Sequence, residues 1–349
     1  MRTPVPDQRR QLRARLFPAG VPALWCPLLT HYTADGAIDC ERMAVHWTHL
    51  APWVKGYLIP GSTGDGWELT RAETDLVLTF AREQAAKLNV HLLIGMLNPD
   101  AQAARQSIEQ MMNAAGARVG STNPENLALT SNPCGFTVCP PRGAQLTQEA
   151  MAAALTSILE LGVPLALYQL PQITQNEMSA ELVSSLAARF GNFFLFKDSS
   201  GADRVALSGK VPDGLFLVRG AEGDYARWLR GTDGPYDGLL LSTANCFARE
   251  LAQMVECLAA RRRTEAEQIS ARLSSVVAEA FRLVADMGAG NAFANANKAL
   301  DYFFAFGPRA AEVAPPRLHA GVRLPAAIIR ATGDALARHD LMPAKGYLE

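Results

Sequence analysis

The feature that most narrows the choice of fold is an alternation running through the first two-thirds of the chain. Eight short apolar runs recur there: VPALWCPLL (21–29), VKGYLIPG (54–61), VHLLIGM (90–96), GFTVCP (135–140), PLALYQL (164–170), FFLFKDS (193–199), LFLVRGA (215–221) and YDGLLLS (236–242). Each is of strand length and rich in branched or aromatic side chains. Between them lie segments of helical pattern such as RAETDLVLTFAREQAAK, DAQAARQSIEQMMNAAG and SAELVSSLAARFG. Several open on Ser, Thr or Asp, whose side-chain oxygens cap free backbone N–H groups, and close on glycine. Strand–helix alternation of this kind builds parallel β-α units. Eight of them predict an α/β fold closed as a (β/α)8 TIM barrel. The rival, an open doubly wound sheet, lacks the G-x-G-x-x-G expected at its first helix.

Beyond residue 245 the pattern turns wholly helical, with a long amphipathic stretch over 246–287 and further helices over 291–306 and 324–339. The expected organisation is an N-terminal arm (1–19), a catalytic barrel (20–245) and a C-terminal helical extension packed on the barrel (246–349). A long polar connection over residues 117–134 leads from a helix into a strand, which predicts a place at the barrel's N-terminal face, away from chemistry.

Composition removes several function classes. Net charge is −1, and no basic stripe carries interleaved aromatics, so a nucleic-acid partner is not expected. The run Arg261–Arg262–Arg263 falls inside a helical pattern and reads as a solvated helix face. No apolar run reaches the roughly 18 residues of a membrane span. The start, MRTPVPDQRRQLRARLF, has arginines but no apolar h-region, so the expectation is a cytoplasmic protein with a short basic arm. Cys26, Cys40, Cys134, Cys139, Cys246 and Cys257 form no C-x-x-C pair and read as reduced, mostly buried thiols. His46 and His49, spaced i,i+3 near Glu41, could form a metal face, but Trp47 and Leu50 between them read as an ordinary helix. No metal and no cofactor are expected.

Within the sixth run one residue is out of place. FFLFKDSSG (193–201) carries Lys197 at the inner end of an apolar strand, where burying an ammonium group is costly. In a barrel, that end of the strand is where catalytic groups lie. Lys197 shares a strand face with Phe193 and Leu195, whereas Asp198 points the opposite way and is poorly placed to pair with it. Desolvation without a partner lowers an amine's pKa from about 10.4 towards roughly 7–8, where it becomes a nucleophile able to form a Schiff base with a ketone. The chain holds six lysines among 33 Lys and Arg, so keeping lysine here is informative. A snorkelling lysine is the bland alternative.

Two further stretches converge on the same chemistry. PLALYQLP puts Tyr168 at the end of the fifth strand, where a phenol can shuttle protons to and from an imine. GSTGDG (61–66) follows the second strand, and its N–H groups with the hydroxyls of Ser62 and Thr63 can hold a carboxylate.

Together these stretches resemble the dihydrodipicolinate synthase / N-acetylneuraminate lyase family. Its pattern is G-[ST]-T-G-E after the second strand, Y-N-x-P on the fifth and K-D-[ST]-[SG]-G on the sixth; here the same places read GSTGD, YQLP and KDSSG. TADGAID (33–39) and LLLSTAN (239–245) extend the likeness over roughly residues 20–245. The resemblance implies a (β/α)8 barrel with a helical extension, a homotetramer (or dimer), and cofactor-independent Schiff-base chemistry on pyruvate or another 2-oxo acid. It makes Lys197 the imine-forming lysine, Tyr168 the proton shuttle, and Ser62 a catalytic hydroxyl that also binds substrate with Thr63 and Gly64. Gln169, Ile173, Arg142 and Ser242 complete the expected substrate-binding set.

The departures bear on substrate. Ile173 stands where the synthases carry an arginine for their second substrate, which looks more like the lyase branch and argues against a role in lysine biosynthesis. Pro141 and Arg142 replace a tyrosine pair, one member of which reaches the neighbouring subunit's relay in the family. Asp65 replaces glutamate and Gln169 asparagine. Two other readings stay open: a metal-dependent barrel aldolase, and a non-catalytic barrel that binds a 2-oxo acid.

Overall fold

The computed structural model describes residues 4–119 and 133–349. The expected polar connection over 117–134 therefore lies mostly outside the described residues; a helix runs to Val119 on one side and a strand begins at Pro133 on the other.

All eight predicted runs form strands: β1 Leu24–Cys26, β2 Gly56–Ile59, β3 His91–Met96, β4 Pro133–Val138, β5 Leu165–Gln169, β6 Phe193–Asp198, β7 Phe216–Arg219 and β8 Gly238–Leu240. They follow one another from β1 to β8 around a closed barrel, and the recorded pairings are parallel. The strands are buried almost without a break, as sheets covered on both faces require. In a closed parallel barrel every strand's C-terminal end belongs to one rim.

The longer helices are α1 Val5–Leu16, α2 Cys40–Leu50, α3 Arg71–Leu88, α4 Ala101–Val119, α5 Gln148–Leu159, α6 Ala180–Arg189, α7 Ala248–Ala259, α8 Arg263–Val284, α9 Ala292–Phe306 and α10 Ala326–Arg338. Their starts follow the sequence signals. Thr70 and Glu73 form a capping box on α3, and Thr147 and Ser179 cap α5 and α6. None of the described helices is long and apolar enough to cross a membrane.

By internal contact the chain resolves into two compact units. The first comprises Met1–Ala23, His91–Ala221 and Pro235–Leu240; the second comprises Leu24–Val90, Glu222–Gly234 and Leu241–Glu349. In the first, the N-terminal arm forms the helix α1. Arg9 of α1 is fully buried and donates to the carbonyls of Phe193 (2.6 Å), Asp213 (3.0 Å), Phe190 (3.2 Å) and Ala187. One guanidinium thus ties α1 to the residue that opens β6.

In the second unit, the ring of Trp25 lies so close to β2 that a Cβ on Gly56 would fall 2.3 Å from it, so only glycine fits. The amphipathic stretch over 246–287 is two helices, not one. The chain breaks at Arg261, whose φ of 59° is left-handed, and the N–H of Arg262 reaches back to the Cys257 carbonyl (2.7 Å). That is the hydrogen bonding of a helix terminus, made without the usual glycine. Arg261, Arg262 and Arg263 are exposed as expected, but they sit at this break rather than on a continuous helix. All six cysteines are free thiols, five buried and Cys40 half-buried.

Candidate active site

Strand β6 delivers Lys197 at its C-terminal end, with every residue from Phe193 to Asp198 buried. Its register partner on β5 is Tyr168. The Lys197 Nζ stands 3.8 Å from the centroid of the Tyr168 ring, and the two residues are 3% and 2% exposed. The face of an aromatic ring attracts a cation by about 0.5–2 kcal/mol. The lysine expected to lack a partner therefore has one, an apolar surface carrying a partial negative charge. Asp198 is engaged elsewhere, as the strand alternation predicted. Its carboxylate accepts the Ser200 N–H (2.9 Å), and burial pushes its pKa up.

Room for the lysine is made by an absent side chain. A Cβ on Gly220, just past β7, would fall 2.8 Å from Lys197 Cε and 2.0 Å from Ser199 Oγ. Burial pushes the Cys139 thiol up, with the Lys197 charge pulling the other way.

The remaining expected residues of this unit have contacts of their own. Gln169 is fully buried, but its side-chain oxygen accepts the Met178 N–H (2.7 Å), so it holds its own loop. Ile173 is half-buried on the single helical turn Pro171–Thr174. Arg142 is exposed, anchored by its backbone N–H to the Pro99 carbonyl (3.1 Å).

In the second unit the glycine-rich stretch forms a 3-10 turn, Ser62–Gly64, all of it buried. Its geometry is fixed on several sides. Thr30 Oγ1 donates to the Gly64 carbonyl (2.7 Å), and a Cβ on Gly64 would strike the Leu28 carbonyl at 2.4 Å. The Trp67 indole N–H donates to Ser62 Oγ (2.9 Å), and Asn291 Nδ2 donates to the Ser62 carbonyl (3.2 Å). Asp65 closes the turn in a left-handed conformation, φ 58°. Its Oδ2 accepts from Lys298 Nζ (2.8 Å) and from the Tyr32 hydroxyl (3.0 Å).

Ser242, expected to touch substrate, sits in a hydrogen-bonded cluster following β7 and β8. Its hydroxyl donates to Glu222 Oε1 (2.6 Å) and accepts from Asn297 Nδ2 (2.9 Å). Glu222 also takes the N–H and hydroxyl of Thr243 (3.2 and 2.6 Å) and the Tyr225 hydroxyl (3.0 Å). Sequence reasoning missed Tyr32, Trp67, Glu222 and Asn297, and it left Lys298 as a structural residue of its helix. One signal was available: NANKALDYFF places Lys298 and Asp301 in an otherwise apolar helix, and buried charges of that kind need partners.

Among the described residues, one group has the donors for a metal ion: His31, His46 and Asp301, with ligand atoms within 4.8 Å of one another. Those atoms are already engaged. Asp301 accepts from Arg42 (2.9 Å) and from the Tyr347 hydroxyl (3.0 and 3.2 Å); the two imidazoles meet at 3.0 Å, and His46 Nε2 reaches the Asn245 carbonyl at 2.8 Å. A metal would have to displace the guanidinium. Burial lowers the pKa of both histidines, and the charges of Arg42 and Lys298 add to the effect at His31. The arrangement fits a closed hydrogen-bond network better than a metal centre. The i,i+3 face considered in the sequence does not form, since His46 is buried whereas Glu41 and His49 are exposed.

Known proteins resemble this chain in part of its sequence and in its fold. The sequence profile of the "Dihydrodipicolinate synthetase family" matches residues 132–288. A 4-hydroxy-tetrahydrodipicolinate synthase of Stenotrophomonas maltophilia is 28% identical over 253 residues, 70% of this chain and 77% of the relative. Among solved structures, a prophage protein of E. coli K12 belonging to the dihydrodipicolinic acid synthase family, in complex with pyruvate, superposes with a TM-score of 0.70. It is 17% identical, covering 92% of this chain and 99% of that one. The 2-keto 3-deoxygluconate aldolase of Picrophilus torridus gives 0.63 at 19% identity, covering 79% and 92%. At these identities the structural likeness speaks for the fold.

Proposed function

From kinship with the dihydrodipicolinate synthetase family, we propose that the protein is a class I lyase that forms a Schiff base between Lys197 and a 2-oxo acid. The observation that carries this reading is the buried Lys197 at the C-terminal end of β6, standing over the ring of Tyr168. An amine in that position adds to the C2 carbonyl, and loss of water gives an iminium that draws electrons from the adjacent carbon. In an aldolase the C3–C4 bond then breaks, the C4 hydroxyl gives up its proton to become an aldehyde, and C3 is left as an enamine. In a dehydratase a C3 proton leaves first and the C4 hydroxyl departs as water. In both, Tyr168 carries the proton, and the Ser62–Thr63 turn holds the substrate carboxylate.

For the substrate we favour pyruvate as the keto fragment and a deoxy sugar acid as the whole. Ile173 supports this over lysine biosynthesis, because an aliphatic side chain offers no charge to a second carboxylate. The hydroxyl- and carboxylate-rich cluster of Glu222, Ser242 and Thr243 supplies groups suited to a polyol chain. A cytoplasmic homotetramer is part of the same proposal, and light scattering in solution tests the assembly.

The deciding experiment is borohydride reduction in the presence of pyruvate, followed by peptide mass spectrometry. The expected result is a stable adduct on Lys197 that is absent from Lys197→Arg. Should neither pyruvate nor a panel of 2-oxo acids leave an adduct, the Schiff-base reading fails. Binding without an adduct would identify a non-catalytic 2-oxo-acid binder, the reading that the loss of the tyrosine pair at Pro141–Arg142 favours.

A further inference from the structure

One helix of the C-terminal region touches the polar machinery of its unit at successive positions. Asn291, the cap of α9, accepts the Ala294 N–H (2.9 Å) and donates to the Ser62 carbonyl. Asn297 donates to Ser242 Oγ. Lys298, the next residue, is paired with Asp65. Asp301, one turn on, takes Arg42. Lys298 is 2% exposed and its ammonium also lies 4.6 Å from the Tyr32 ring centroid. Such a fully buried ion pair is a poor device for stability, since desolvating both charges offsets most of their attraction. Its value lies in fixing geometry: Asp65 is a non-glycine residue in the left-handed region, immediately after the 3-10 turn that carries Ser62 and Thr63.

We propose that Lys298 is a positioning residue for the carboxylate-binding turn. By holding Asp65 from behind, it fixes the turn in the conformation that aims the Ser62 and Thr63 N–H and hydroxyl groups at a substrate carboxylate. Asn291 assists from the other side through the Ser62 carbonyl. The inference rests on the reading that this turn holds the carboxylate of a 2-oxo acid. Lys298 touches no reacting atom, so its removal affects how much substrate is needed rather than what Lys197 does once substrate is seated.

The test is the pyruvate concentration that half-saturates borohydride trapping on Lys197, together with the trapping rate at saturation. The variants are Asp65→Asn/Lys298→Met, which removes both charges and leaves no unpaired charge in the interior, Asn291→Ala on the partly exposed cap, and Lys298→Arg. For the double variant the half-saturating concentration is expected to rise at least about tenfold, equivalent to about 1.4 kcal/mol of binding, with the saturated rate within about twofold of the parent. Asn291→Ala is expected to shift it in the same direction by a smaller factor, and Lys298→Arg to recover most of the affinity. If the parent traps pyruvate and a folded double variant does so with unchanged half-saturation, the pair is structural only and the proposal is wrong. If the double variant does not fold, Asn291→Ala decides, and unchanged half-saturation there overturns it. A parent that traps nothing removes the catalytic reading itself, a separate failure.

Discussion

At position 220 the backbone passes so close to the lysine that a methyl group would press on Lys197 Cε and Ser199 Oγ. Both are side-chain atoms, Gly220 is not held at positive φ, and the Leu240 carbonyl, 3.3 Å from such a methyl group, needs to give by only a few tenths of an ångström, so the fold can accommodate alanine by moving them. The lysine then leaves its place over Tyr168. Gly220→Ala is therefore expected to keep the thermal midpoint close to the parent's while slowing imine formation by about 100-fold, the usual effect of displacing a reacting group by an ångström. Trapping at the parental rate in a folded variant would show that the lysine tolerates the shift. Residue-level reading of the sequence found Lys197 because its anomaly is local: an ammonium in a run of phenylalanines. Lys298 is equally anomalous, but the partner that explains it, Asp65, is 233 positions away. No spacing rule links the two. The roles expected of Gln169 and Arg142 came from sequence position alone, and sequence does not show the local setting of either side chain, one amide oxygen held by the Met178 N–H and the other side chain facing solvent.

Among the elements, α1 carries the clearest consequence. The Arg9 guanidinium satisfies four carbonyls, among them that of Phe193, the first residue of β6. Arg9→Met would leave those oxygens buried without their donor, at a cost of about 3 kcal/mol, and urea denaturation would read the loss directly. A change below about 1 kcal/mol would mean that water replaces the guanidinium there. Elements were legible where their signals are periodic and local. All eight strands lie at their apolar runs, and the caps at Thr70, Thr147 and Ser179 are side-chain chemistry visible in the sequence. The break between α7 and α8 was not, because arginine rather than glycine takes the left-handed position at 261. An all-arginine run continues the helical pattern in sequence and interrupts it in space.

For the molecule as a whole, the closed barrel followed from counting units, whereas its acid sensitivity follows from burial. His31 and His46 are fully buried, and burial lowers the pKa of each below the ordinary 6.5. As pH falls through about 6.5, the unfolded chain takes up protons that the folded chain refuses. The contribution of these two histidines to stability is accordingly constant above that pH and declines below it, by up to about 1.4 kcal/mol per pH unit for each, and burial lowers His49 and His91 in the same direction. Urea midpoints measured from pH 8 to pH 5 should be level at first and then fall; a level curve throughout would mean that the histidines charge without penalty.

The indole at position 67 gives the molecule an optical property of its own. Trp67 donates to the hydroxyl of Ser62, the group proposed to meet the substrate's carboxylate, and it is one of five tryptophans in the chain. An anion arriving at Ser62 alters the electric field felt by that single fluorophore, while Trp25 and Trp47 stay enclosed in the interior. Occupancy of the turn thus becomes visible as a change in emission colour, with no turnover required. A ligand can then be recognised by light before its reaction is known.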